Sequence, residues 1–187
     1  MSIAKSRLNL RALTETAVLV AIAFVLSFFQ FKLPWPNGGS VTPASMLFIL
    51  AIGLRRGPVW GIGGALAYSL LQMLQSFYPP PVENAFNLFL VVMLDYVVAF
   101  TALGLSGLFG RRKYGILIAA PICLALRFLC HFASGILIWG PYAPEGMPTA
   151  LYSLAYNGSY VGIELVLCLA AAALLLRYDK SIFSRQE

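Results

Sequence analysis

A chain of 187 residues that is 60% hydrophobic and only 11% charged is too apolar for a soluble domain, where the corresponding shares are about 45–50% and about 25%. Its net charge of +6 does not mark a nucleic-acid binder, because the basic residues are scattered in short groups between apolar runs and form no stripe. What remains is an all-α integral membrane protein, one membrane domain over residues 1–187.

The first helix is expected over about residues 12–31. It is long enough to span and is not followed by small-residue cleavage chemistry, so it reads as a transmembrane helix and not as a cleavable signal peptide. Ala17 and Ala21, four apart, place two small residues on one face, which lets another helix approach closely in lipid. The stretch KLPWPNGGS after it is broken by Pro34, Pro36, Gly38 and Gly39, and Trp35 suits an interface.

A second helix, about residues 41–54, is short for a span, so the charges decide whether it crosses. If it does, the termini and the loops at 55–56 and 111–113 share one side with eleven of the thirteen Lys and Arg, leaving Lys32 opposite and Arg127 in the membrane. The positive-inside rule then gives six transmembrane helices with both termini cytoplasmic. The third helix covers about 57–77, with Gly57, Gly61 and Gly64 suited to close packing, and the fourth about 85–109. The fifth and sixth, about 114–139 and 151–176, are joined outside by GPYAPEGMPT. Cys123, Cys130 and Cys168 lie inside apolar runs and read as small buried hydrophobes.

An ionisable side chain in a bilayer core needs a partner or a purpose. Four are deep enough to count: Asp95, Arg127, His131 and Glu164. Arg127 and His131, four apart, share one helix face. Arg127 and Glu164 both fall near mid-depth, which makes a structural ion pair the plain account of both, with Asp95 the alternative partner for Arg127. If Glu164 holds Arg127, Asp95 is left as an anion in the outer half, at the level of His131. Trp139, Tyr142, Tyr152, Tyr156, Asn157 and Tyr160 lie around that level, with Trp35 and Tyr78 available from the outer loops. Aromatic residues at helix ends usually form the interfacial belt. Their convergence on one acid, however, suits a flat organic cation, because charge attraction and cation–π contact both strengthen on desolvation. His131 and Asn157 add donors and acceptors for ring nitrogens. No HExxH, GxSxG or GxxxxGK[ST] pattern and no carboxylate pair at metal spacing occurs, so neither a catalytic nor a metal site is expected.

Five stretches, LTETA (13–17), LRRGPVWG (54–61), LDYVVAFTALGLSGLFG (94–110), RFLCHFASGILIW (127–139) and YSLAYNGSY (152–160), in this order and spacing, resemble the thiamine-specific substrate-binding (S) components of energy-coupling factor (ECF) transporters, the ThiT or YuaJ group. The resemblance implies a non-enzymatic protein in the plasma membrane of a prokaryote, binding thiamine at the extracellular side as transported ligand and using no cofactor. It also implies partnership with an ECF transmembrane coupling subunit, which the AxxxA pair Ala17 and Ala21 would face, and two ABC ATPases. Carried over by position, the ligand-binding residues are Asp95 (commonly glutamate in the family, one methylene longer), His131, Trp139, Tyr152 and Asn157, with Trp35 and Tyr78 as loop candidates. The alternatives are an S component for another vitamin or a thiamine precursor, or a stand-alone ion-coupled carrier with Asp95 or Glu164 as proton site. The absence of an internal repeat counts against the carrier.

Overall fold

The computed structural model describes residues 9–34, 39–112 and 114–186. Within them six helical segments form one bundle: α1 (Leu10–Ser27), α2 (Ser45–Arg56), α3 (Pro58–Gln75), α4 (Ala85–Phe109), α5 (Gly115–Leu137) and α6 (Thr149–Tyr178). A small antiparallel hairpin pairs β1 (Phe31–Lys32) with β2 (Ser40–Val41), Phe31 opposite Val41 and Lys32 opposite Ser40. Four helices, α1, α4, α5 and α6, are long and apolar enough by themselves to cross a membrane. α3 is diluted by Gly61, Gly63, Gly64, Ser69 and Gln72, and α2 is only 12 residues long. At 1.5 Å per residue α2 rises about 18 Å, little more than half of a hydrocarbon core of about 30 Å.

That short helix is the centre of the bundle. Ten of its twelve residues are buried, and Ile49, Leu50, Ile52 and Leu54 are fully enclosed. Lipid tails are as apolar as Leu, so what holds such a bundle is close van der Waals contact and polar bonds between helices. The contact is closest where glycines meet. A Cβ added to Gly61 would stand 2.7 Å from the Gly53 Cα, and one added to Gly53 would stand 2.7 Å from the Gly107 amide nitrogen. Only hydrogen at these positions lets α2, α3 and the end of α4 touch through their backbones. Ser106 on α4 adds a hydrogen bond from its hydroxyl to the Leu50 carbonyl, 2.8 Å.

The same end of the bundle gathers charge. Glu15 of α1 pairs with both Arg55 and Arg56 in the last turn of α2, where cations also suit the helix dipole. The chain after α6 returns to this end: the Arg185 amide donates to the Gly110 carbonyl (3.1 Å), the Gln186 amide to the Arg55 carbonyl (2.8 Å), and the Arg185 guanidinium to the Gly107 carbonyl (2.8 Å). By the positive-inside rule this is the cytoplasmic end.

Several element limits differ from expectation, each for a local reason. α1 stops at Ser27, not near residue 31, because 31–32 are drawn into the hairpin. α2 starts at Ser45, not 41: residues 41–44 form a bend that brings Thr42 to Glu164 of α6. The fourth helix keeps its limits but is not uniform. It passes from α-helix to a π-turn over Val92–Val97 and to 3-10 geometry over Ala102–Phe109. No proline or glycine announces the π-turn in the sequence, whereas the 3-10 stretch carries Gly104 and Gly107.

Candidate functional site

A cavity of about 420 Å³ opens at the end opposite the arginines, within the range of about 300–1,000 Å³ usual for small-molecule sites. Its walls come from α2 to α6, from the hairpin and from the loop that follows it.

Asp95 sits in the π-turn of α4, the kind of helix distortion that recurs at functional sites because it re-aims a side chain. Its carboxylate is 16% exposed and is held by three donors, two on α5 and one just past its end. One oxygen faces His131 Nδ1 at 3.0 Å; the other accepts from the Ser134 hydroxyl at 2.6 Å and from Trp139 Nε1 at 2.9 Å. With Nδ1 carrying the hydrogen toward the carboxylate, Nε2 of His131 is an acceptor, and it is buried without a partner among the described residues. Arg127, one turn below, points to α6 instead and pairs with Glu164, both side chains almost fully enclosed. That pair cancels its own charge, so Asp95 is the carboxylate left to face the cavity, with Lys32 on the hairpin wall.

The aromatic residues line this acid as a set. Trp139 stacks on Tyr142 (ring centroids 6.0 Å, 15° between planes) and touches Tyr78 (5.6 Å). On the facing side Tyr152, Tyr156 and Tyr160 follow one another along α6 at 5.7 and 5.8 Å. Tyr96 anchors α4 to the end of α3: its hydroxyl donates to the Ser76 carbonyl (2.9 Å) and accepts from the Tyr78 amide (3.1 Å). Asn157 is a strut more than a free polar group. Its amide nitrogen donates to the carbonyls of His131 and Ser153, each 3.1 Å, and its oxygen accepts from the Tyr160 hydroxyl at 2.8 Å.

The structure thus brings Asp95, His131, Trp139, Tyr152, Asn157 and Tyr78 to one cavity. Trp35 lies outside the described residues. Ala17 and Ala21 do not line the cavity and lie on the exposed face of α1. Sequence reasoning missed Ser134, although the row Arg127, His131, Ser134 at helical spacing would have exposed it. It also missed Thr42 and Tyr96, which only the tertiary arrangement brings to the site. Among the described residues no group of His, Cys, Asp and Glu could hold a metal ion.

A helical bundle buried in the membrane, with an outward cavity built around one held carboxylate and aromatic walls, is a solute-binding membrane protein. Comparison with known proteins is more specific. Residues 13–184 match the family model described as thiamine transporter protein (Thia_YuaJ). The thiamine transporter ThiT of Bacillus subtilis (strain 168) is 33% identical over 179 residues, covering 87% of this chain and 88% of the relative. The thiamine transporter ThiT of Lacticaseibacillus paracasei is 28% identical, covering 94% and 91%. Among solved structures, ThiT from Listeria monocytogenes superimposes with a TM-score of 0.75 at 25% identity, covering 94% of this chain and 98% of that one. The S component of a bacterial ECF transporter, at 21% identity and a TM-score of 0.57, shares the fold. The chain belongs to the thiamine transporter protein (Thia_YuaJ) family, a family of multi-pass transport proteins of the prokaryotic plasma membrane and not of enzymes.

Proposed function

We propose that this protein is the thiamine-capturing S component of an ECF-type importer, binding the vitamin in the outward cavity. The observation that carries the reading is the Asp95 carboxylate, aimed by a π-turn and held by three donors beneath an aromatic wall. A carboxylate has about four acceptor positions, so one remains for a ligand. Thiamine supplies a permanent thiazolium charge for this acid and for cation–π contact with Trp139 and the tyrosines. Its aminopyrimidine offers an exocyclic N–H₂, the donor that an acceptor His131 Nε2 lacks. In this assignment Asp95, His131, Trp139, Tyr152 and Tyr78 contact the ligand, while Asn157 holds His131 and Tyr160 in register.

Energy for uptake comes from partner subunits in this reading: an ECF coupling subunit and two ABC ATPases. Ala17 and Ala21, exposed and one turn apart on α1, give that coupling subunit a face it can approach closely. Calorimetry and tryptophan fluorescence on the detergent-purified protein test the ligand. Thiamine should release heat at one site per chain and quench Trp139; no heat and unchanged emission would overturn the assignment. Running riboflavin and the isolated pyrimidine and thiazole precursors in parallel separates thiamine from its nearest competitors.

A further inference from the structure

The buried ion pair at the cavity floor is not built as an isolated pair would be. A guanidinium facing a carboxylate with nothing else to satisfy forms a two-pronged fork. Here only Glu164 Oε2 faces Arg127, through Nη1, and Arg127 Nε is left buried without a partner among the described residues. The other oxygen, Oε1, is given to Thr42, accepting from its hydroxyl at 2.9 Å and from its amide at 3.4 Å.

Thr42 is the first residue after β2, and the backbone is bent hard to bring it there. The Ala44 amide donates to the Thr42 carbonyl across Pro43 at 2.8 Å, and Ala44 adopts the left-handed conformation, φ 58° and ψ 26°, before α2 begins. A non-glycine residue in that region is strained, and such strain persists only where its surroundings enforce it. The Thr42 hydroxyl also bonds Ser45, which in turn accepts from the buried Tyr68 hydroxyl at 3.4 Å. An orphaned guanidinium nitrogen and a strained junction thus converge on one contact, between Glu164 and the root of the hairpin.

That hairpin root forms a wall of the cavity: Lys32, Gly39, Ser40 and Thr42 all line it. Gly39 lies so close to the tyrosines that an added Cβ would stand 2.9 Å from Tyr160. We propose that Glu164, held by Arg127, is a positioning residue that acts through Thr42 to fix the hairpin wall of the cavity, and thereby sets how long a ligand stays. The ligand part of this statement rests on the thiamine reading above; the wall itself does not.

The test is hydrogen–deuterium exchange of the backbone amides in the stretch 40–45 in the ligand-free, detergent-purified full chain, together with stopped-flow dissociation of thiamine. Thr42→Val removes the hydroxyl and keeps the ion pair. It should raise exchange in this stretch about tenfold and speed thiamine release about tenfold, whereas Thr42→Ser should restore both. Glu164→Gln leaves one carbonyl oxygen for the three donors that two carboxylate oxygens now serve, so it should loosen the same stretch independently, which keeps the question answerable if Thr42→Val does not fold. Wild-type exchange in both Thr42→Val and Glu164→Gln, with only a lower melting temperature, would reduce the contact to a structural bond and overturn the proposal. A wild-type protein that binds no thiamine would remove the thiamine reading, while the ligand-free exchange result would still decide whether Glu164 fixes the wall.

Discussion

The two ends of this bundle are built on opposite principles. At the cytoplasmic end α2, α3 and α4 meet through Gly53, Gly61, Gly104 and Gly107, backbone against backbone with no space for a methyl group. At the outer end the same helices stand apart, and the gap is filled by Tyr, Trp and a carboxylate whose side chains bond one another around a cavity. The difference teaches that a cavity in lipid needs a rigid base. Helices cannot be held apart at one end by a hydrophobic effect that lipid does not supply, so they are clamped at the other. α2 serves both ends: its buried body carries the clamp, and its late start, at Ser45, leaves room above it.

The sharpest way to break the outer end alone is Asp95→Asn. It keeps shape and two acceptor lone pairs but removes the charge, and thiamine affinity should fall about 100-fold or more, about 2.7 kcal/mol, by calorimetry, with little change in melting temperature. The matching change at the clamp is Gly61→Ala. Its methyl would press on the backbone of Gly53 and Gly104, which cannot swing away as a side chain can, so stability should drop by about 1–3 kcal/mol in thermal unfolding. The folded fraction should still bind thiamine with unaltered affinity; a parallel loss of affinity would mean the two ends are not separable. Ser134→Ala removes one of three donors to Asp95 and should weaken binding about tenfold, near the lower value for a hydrogen bond to a charged group, about 1.5 kcal/mol. The smallest effect on binding is expected from Ala17→Leu. Thiamine affinity of the isolated protein should stay within about twofold, while uptake in vesicles reconstituted with a coupling module should fall, because a bulky residue now occupies a close-approach face.

Much of the site is legible in the amino-acid sequence, for a reason specific to membranes. Charge in an apolar run is costly, so Asp95, Arg127, His131 and Glu164 stand out individually, and Trp139 and the tyrosines of α6 can be placed at their depth by counting residues. Ser134 does not stand out, since a serine in a transmembrane helix is ordinary until a carboxylate is found 2.6 Å away. Thr42 is hidden in a stretch that reads as helix, because its role depends on a loop folding back across 122 positions of sequence to Glu164. Trp35 lies outside the described residues, so its part in the site rests on sequence alone.

Apolar content, the spacing of basic groups and the cost of lone charges were enough, from the sequence by itself, to establish a multi-pass helical bundle, its orientation and the residues most in need of partners. Which partner each charge took was decided only by the tertiary structure. Arg127 to Glu164, Asp95 to His131, Ser134 and Trp139, and Glu164 onward to Thr42 are pairings between distant segments. The packing of α5 on α6 sets the first, the π-turn of α4 aims Asp95, and the late start of α2 frees Thr42, and all three follow from how segments pack against one another.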